Sequence, residues 1–244
     1  MPKARVPKID SFEFRPGRVL AGKYEVLGRI GQGWEGEVYH VREQLTGVER
    51  AAKFFFPERN LRDRAVTYHA RKLYKLRHCP LLIQYVTLDK IIARGVGVKF
   101  MVSELVEGTL LSEFLSKQPR KRLTVFEGLI LLHTLAKGLE VIHNAPDYHG
   151  DLHSENIMVN RRGIGFDVKL IDFYRWNAPT HYNIREDVYD IIRIFYDLLG
   201  GRSRYRYHPK VVKNICCGLK RSLMAKKFKT AGMLRNHLET MEWD

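Results

Sequence analysis

The segment Asp147-Tyr148-His149-Gly150-Asp151-Leu152-His153-Ser154-Glu155-Asn156, followed by the apolar run Val168 to Ile171 and then Asp172, constrains this chain more than any other stretch. An aspartate, an asparagine five residues on and a second aspartate fall on loops beside short apolar strands. Two oxygen ligands of the kind Mg²⁺ prefers and one carboxylate able to take a hydroxyl proton can therefore converge, as phosphoryl transfer requires. An isolated Asp or Asn in a loop more often closes a turn or caps a helix. The segment gains its weight from the order of the motifs upstream.

Tyr24 to Ile30 reads as a strand that enters Gly31-Gln32-Gly33-Trp34-Glu35-Gly36-Glu37-Val38. Glycines at that spacing let backbone amides approach phosphates, but the same spacing also serves dinucleotide folds. A dinucleotide fold places a helix directly after the glycines. Here the β-type run Glu37 to Val41 continues instead, then a Thr46-Gly47 turn, then Ala51-Ala52-Lys53-Phe54-Phe55. Burying an unpaired ammonium on such an apolar strand is expensive, and a nucleotide phosphate would satisfy Lys53. The bland alternative is an edge-strand lysine facing solvent.

Taken together, Gly31, Gly33, Gly36 and Val38, Lys53, His149-Gly150-Asp151, Asn156 and Asp172-Phe173-Tyr174 resemble the ordered motifs of the eukaryotic-type, serine/threonine protein kinase superfamily. The resemblance implies an α+β, two-lobed fold: a small antiparallel β-sheet N-lobe with one helix, and a mainly helical, truncated C-lobe. The expected divisions are a basic N-terminal extension over 1–22, an N-lobe over 23–106 and a C-lobe over 107–244. ATP and Mg²⁺ are the implied cofactors. In the family's roles, Asp151 takes the hydroxyl proton, Asn156 and Asp172 hold the metal, and Lys53 grips the phosphates under Gly31, Gly33 and Gly36. Val38, Ala51 and Met158 would contact the nucleotide, with Ser103 as gatekeeper and the backbone of Glu104 and Val106 meeting the adenine edge.

Helices are expected over Leu61 to Arg77, over Leu129 to His143 behind a Thr124/Glu127 capping box, and from Glu186 through Leu199. In the last of these, Asp187 resembles the residue that anchors the catalytic loop.

The departures are informative. Counting back from Leu76-Arg77-His78, the glutamate that normally pairs with the strand lysine falls on His69, and Leu61 to Arg77 contains no Glu. Lys53 is then expected to lack a partner or to take Glu58, Asp63 or Asp172. Glu35 beside phosphates is expected to be repulsive unless it faces solvent or a basic partner, and Trp34 to pack beneath the loop or to shield a phosphate. Gly150 replaces the arginine that holds a phosphorylated activation loop, so that switch is not expected. Tyr174 replaces a glycine, Asn177 to Thr180 is at most a remnant of the Ala-Pro-Glu motif, and His153 replaces a lysine in the manner of small-molecule phosphotransferases. After the Asp187 helix, Gly200 to Asp244 leaves too little chain for the C-lobe helices of large protein kinases.

Net charge is +15, from 42 Lys and Arg against 27 Asp and Glu. Between Arg202 and Leu238 lie eleven basic residues and no acidic one, interleaved with Tyr205, Tyr207 and Phe228. That invites a nucleic-acid or anionic-surface reading. The alternative is a set of amphipathic closing helices with Val211, Val212, Ile215, Leu219, Leu223 and Met224 inward. Either way an acidic partner suits the chain, and Arg59, Arg62, Arg64, Arg71, Lys72, Lys75 and Arg77 add to the basic surface. No apolar run approaches a membrane span. Met1 to Arg18 lacks the apolar centre of a signal peptide, and Cys79, Cys216 and Cys217 form no paired framework, so a reducing cytoplasm is expected. The reading is an ATP- and Mg²⁺-dependent kinase acting on a Ser or Thr hydroxyl of a protein. Two alternatives stay open: a small-molecule phosphotransferase on the same fold, and a catalytically weak binding module for an acidic partner or nucleic acid.

Overall fold

The computed structural model describes residues 8–172 and 177–242. They form two compact units: the described part of Met1–Arg77 with Ile83–Val106, and His78–Leu82 with the described part of Glu107–Asp244. The first is built on an antiparallel sheet and the second is mainly helical, which is the expected two-lobed α+β architecture.

The first unit's sheet has the order β1-β2-β3-β4-β6-β5. Its strands are β1 (Val19–Leu20), β2 (Tyr24–Gln32), β3 (Gly36–Glu43), β4 (Glu49–Phe55), β5 (Tyr85–Ala93) and β6 (Val96–Glu104). Successive side chains on a strand point to opposite faces, so register decides what each face carries. Val38 pairs with Lys53, Lys53 with Met101, and Ala51 with Ser103. These residues share one face, while Tyr39, Val41, Ala52 and Phe54 share the other and are fully buried.

What buries that second face is the segment expected to be an extension. Ile9, Phe12, Phe14 and Leu20 join its core. Phe12 stacks on Phe56 with centroids 5.5 Å apart, and Phe14 meets Phe54 edge-on at 4.9 Å. Each buried phenylalanine is worth about 2 kcal/mol of apolar transfer. Glu37, fully buried in β3, locks the segment in place: its carboxylate accepts from Ser11 Oγ at 2.8 Å, Phe12 N–H at 2.9 Å, Arg29 at 2.8 Å and Tyr39 Oη at 2.7 Å. The fold therefore starts well before residue 23, because an apolar sheet face of Tyr39, Val41, Ala52 and Phe54 needs a cover.

Helix α1 (Arg64–Lys75) turns Ala65, Val66, His69, Ala70 and Leu73 inward and packs on β5 and β6. It is shorter than Leu61 to Arg77. Arg62 and Asp63 have φ of 55° and 59°, and this left-handed backbone restricts Leu61–Asp63 to a single 3₁₀ turn.

In the second unit β7 (Thr109–Leu110), β8 (Ile157–Arg162) and β9 (Gly165–Leu170) make a small sheet, and α2 (Leu111–Ser116) follows β7. The long helix α3 runs Val125–Asn144, one turn longer at its start than expected, because the Thr124/Glu127 capping box forms and satisfies its first amides. At Gly138 a Cβ would stand 2.4 Å from Leu81, so the glycine lets His78–Leu82 lie against α3.

Helix α4 spans His181–Leu198 instead of beginning at Glu186. Thr180, expected as a motif remnant, is its cap, bonded reciprocally to Asn183. The closing helices are α5 (Gly201–Arg204), α6 (Lys210–Cys216), α7 (Arg221–Lys227) and α8 (Ala231–Thr240), the last packed on α3 and α4. Val212, Ile215 and Met224 are buried as the amphipathic reading requires. Leu223, expected inward, is 44% exposed, and Phe228 is 2% exposed. Short α7 has room for only Met224 on its inner stripe, and the chain then turns Phe228 into the core.

Candidate active site

In the first unit, Gly33 N–H donates to Gly36 C=O at 2.9 Å, which closes the β2–β3 hairpin with Trp34 and Glu35 at its tip. The three glycines do different work. A Cβ on Gly36 would sit 1.8 Å from the Phe54 carbonyl oxygen, so that glycine serves the approach of β3 to β4. A Cβ on Gly33 would meet nothing within 4 Å, and one on Gly31 only Val38 at 3.9 Å. Open space thus lies over Gly31 and Gly33, on the β2 side of the tip. Trp34 does not pack beneath the loop: it is 56% exposed, with the Arg59 guanidinium 4.0 Å above its ring.

Lys53 has a partner that the sequence reading assigned elsewhere. Its Nζ donates to Glu35 Oε2 at 3.1 Å, and the same oxygen lies 3.1 Å from His69 Nε2. The carboxylate is 10% exposed. Burial works against its ionisation, but the hydrogen bond from His69 and the charges of Lys53 and His69 prevail and hold it below the ordinary glutamate range. Of the partners expected instead, Asp63 pairs with Lys99 at 2.9 Å, and Glu58 keeps a buried Oε2 that accepts no hydrogen bond among the described residues. The α1 position where a glutamate was expected holds an imidazole, and the carboxylate reaches it from the hairpin.

Val38 and Ala51 lie on the face of Lys53 at the centre of the sheet and are only half-buried, unlike the opposite face. An ammonium beside an open apolar surface suits a ligand with a flat apolar part and an anionic part. At the end of β6, Glu104 N–H is committed to Gln84 C=O at 3.0 Å, and its carbonyl receives Ser103 Oγ at 3.3 Å. Val106 follows β6, and its backbone N–H and C=O make no hydrogen bond among the described residues.

In the second unit Asp187 of α4 is fully buried and holds the loop that carries Asp151. Its oxygens accept His149 N–H at 2.7 Å, Gly150 N–H at 2.8 Å and His143 Nε2 at 3.1 Å. Gly150 has φ of 84°, a conformation that accounts for glycine at this position. Asn156 Nδ2 donates to the Asp151 carbonyl at 2.9 Å and to Asp151 Oδ2 at 3.2 Å. That fixes Asn156 Oδ1 away from the loop, where it accepts no hydrogen bond among the described residues.

His153 completes the cluster: Glu155 N–H approaches its Nδ1 at 3.3 Å, and its Nε2 lies 2.9 Å from Asn156 Nδ2 and 3.6 Å from the Asp151 carboxylate.

Asp172 follows β9, exposed, with φ of 54°, and Met158 in β8 pairs with Leu110 and Lys169. Phe173 and Tyr174 lie outside the described residues. Burial, reinforced by the charges of Asp187 and Glu186, pushes Asp190 up to about 7.

The donor set fits Mg²⁺. Among the described residues no group of three or more His, Cys, Asp or Glu side chains is arranged for a metal. The available ligands are the free amide oxygen of Asn156 and the Asp172 carboxylate, hard oxygens of the kind that bind Mg²⁺ together with substrate phosphates and water.

Of the residues that build the candidate site, Glu35 takes the basic partner that sequence reasoning left open, without naming Lys53, and His143 was missed. A glutamate at the tip of a glycine hairpin opposite a buried lysine is a usable signal; a histidine at the end of a long helix is not. The stacking residues fare unevenly. Phe228 is core, Tyr205 Oη is bonded to Gly218 N–H at 3.0 Å, and Tyr207 is exposed between Arg204 and Arg206. A continuous base-stacking stripe is not formed. No described helix is long and apolar enough to cross a membrane.

Comparison with known proteins agrees with this geometry. The protein kinase domain family matches residues 24–176. A putative cyclin-dependent kinase F-2 of Oryza sativa subsp. japonica is 31% identical over 154 residues, covering 62% of this chain and 46% of that protein. The cyclin-dependent kinase C-2 C of Arabidopsis thaliana is 30% identical over 192 residues, 76% of this chain and 28% of that protein. The serine/threonine-protein kinase pkn2 of Myxococcus xanthus is 29% identical over 158 residues, 64% of this chain and 18% of that protein. The chain thus spans less than half the length of each of these relatives.

Proposed function

Because the chain belongs to the protein kinase domain family, we propose that it is an ATP- and Mg²⁺-dependent kinase that transfers the γ-phosphoryl group to a Ser or Thr hydroxyl of a protein. The observation that carries this reading is the loop held by Asp187, in which Asn156 fixes Asp151 through two hydrogen bonds and keeps its own Oδ1 free. Asp151 accepts the proton of the acceptor hydroxyl as its oxygen bonds to the γ-phosphorus and the bond to the bridging oxygen of the leaving ADP breaks. Asn156 Oδ1 and the Asp172 carboxylate would hold Mg²⁺, which when bound offsets the charge on the phosphates. Lys53 grips those phosphates, and Gly31, Gly33 and Gly36 present backbone to them. Val38, Ala51 and Met158 supply apolar contact to the adenine, and the Glu104 carbonyl and the Val106 backbone meet its edge.

The exposed basic residues of α1, Arg64, Arg71 and Lys75, favour an acidic protein substrate by steering. Free Cys79 and Cys216, both buried, are consistent with action in a reducing cytoplasm.

Transfer of label from radiolabelled ATP, with wild type beside Asp151→Asn, tests the reading. Loss of a general base lowers turnover by about 10²- to 10⁴-fold, while the Mg-ATP-induced rise in melting temperature persists. Equal turnover in the variant removes Asp151 from the role. A second reading, transfer to a small alcohol, is favoured by one observation: α4 begins at His181, so only residues 173–180 stand between Asp172 and that helix. Label on a sugar, aminoglycoside or choline-like alcohol with no protein labelled would select it.

A further inference from the structure

Glu35 joins three segments of the first unit through a single carboxylate. Its backbone carbonyl accepts Phe56 N–H at 2.8 Å, just past the end of β4, while its side chain meets Lys53 of β4 and His69 of α1, each at 3.1 Å. The hairpin tip cannot shift alone, because Gly36 lies against the Phe54 carbonyl.

We propose that Glu35 is the positioning residue for Lys53, that it does the work usually given to a glutamate on the helix, and that His69 secures it to α1. The assignment rests on the kinase reading and deepens it.

A buried ion pair is in itself weak support for stability, since desolvation can exceed the attraction between the charges. This pair stands beside the half-buried Val38 and Ala51, where an arriving ligand would lie. A lysine ammonium on a four-carbon stem is a mobile point charge. Held at Glu35 it meets phosphate without first losing that freedom, and the gain appears in nucleotide affinity. The neighbours support the same direction. Lys72, a buried cation of α1, donates to Tyr68 Oη at 3.3 Å, and Phe55 packs against the His69 ring at 5.5 Å, which leaves the imidazole directed at Glu35. Helix α1 therefore reaches the ammonium through His69 and Glu35, and a glutamate placed at residue 69 should be able to take over.

The test compares wild type with Glu35→Gln, Glu35→Ala and the double variant Glu35→Ala/His69→Glu, which relocates the carboxylate to α1. For each, KM for Mg-ATP and kcat are measured with a protein substrate, and thermal shifts are measured with Mg-ATP and with adenosine. Loss of a charge-assisted contact predicts a KM for Mg-ATP raised about tenfold or more in Glu35→Gln and Glu35→Ala. The adenosine shift should be unchanged, and the double variant should recover most of the loss. A merely structural role would weaken ATP and adenosine alike, and that outcome overturns the proposal. So does a KM within about twofold of wild type in the folded Glu35→Gln protein, a difference too small for a charge-assisted bond. A wild-type protein that neither binds nor turns over Mg-ATP overturns the kinase reading itself, and the positioning role falls with it.

Discussion

The two units hold their key side chains by different chemistry. In the first, the side chain of Glu35 holds Lys53 and is itself bonded to the side chain of His69. In the second, the Asp151 loop is held by backbone amides of residues 149 and 150 that converge on the buried carboxylate of Asp187. Side-chain pairing depends on which residue types stand at three positions and allows the carboxylate to move between segments. Backbone pairing uses no side chain of the residues it grips, although Gly150 is set by its φ of 84°, and the acceptor must stand in one place. The first unit departs from the family pattern at residue 69, and the second keeps its buried aspartate at residue 187.

Asp187→Ala tests that contrast most severely. It strips a fully buried acceptor from two amides and a histidine, and each buried donor left unsatisfied costs about 1–3 kcal/mol, so a sharply lower melting temperature and loss of transfer activity are expected. A melting temperature near wild type would remove Asp187 as the support of the loop.

Glu37 is the intermediate case, a buried carboxylate of the first unit that holds both a backbone amide and side chains. Glu37→Ala leaves Phe12 N–H and Tyr39 Oη without their acceptor, at about 1–3 kcal/mol. Hydrogen exchange should show the Phe12 amide losing protection before the sheet does. If the whole sheet loses protection together, the covering segment is not a separable layer.

The smallest effect concerns the surroundings of Asp187. Asp190 titrates at about 7 against an ordinary 3.8, with burial as the leading cause and the charge of Asp187 next. Between those values the folded protein binds the extra proton, so this group lowers stability as pH rises from 3.8 to about 7. Asp190→Asn removes that decline. The variant should match wild type near pH 3.5 and exceed it above neutrality by on the order of 1 kcal/mol, once discounted for partial exposure. A constant difference across the range would mean that Asp190 is ionised throughout.

Much of the candidate site was legible because it is local. Gly31 to Val38 shows a hairpin by its glycines and the strand that follows, the Lys53 strand shows its faces by alternation, and Asp151, Asn156 and Asp172 are placed by their spacing together with the order of the motifs upstream. The capping box at Thr124 and Glu127 formed as read, whereas Thr180 was taken for a motif remnant when its relation to Asn183 is the same kind of local signal. The covering segment was misread because Phe12 and Phe14 find Phe54 and Tyr39 across the fold, and periodicity says nothing about partners far along the chain.

The sequence by itself determined the order of the motifs, the antiparallel strands and helices that carry them, and the residue types available for phosphate, metal and proton. These follow from backbone periodicity and local hydrogen bonding, which act over a few residues. Only the tertiary structure decided that Glu35 meets Lys53, that residues 8–22 close the sheet, and that Phe228 is core instead of a stacking surface. Each of these depends on which distant groups share a desolvated space, and there an unpaired charge or an uncovered ring costs more than any local preference can offset.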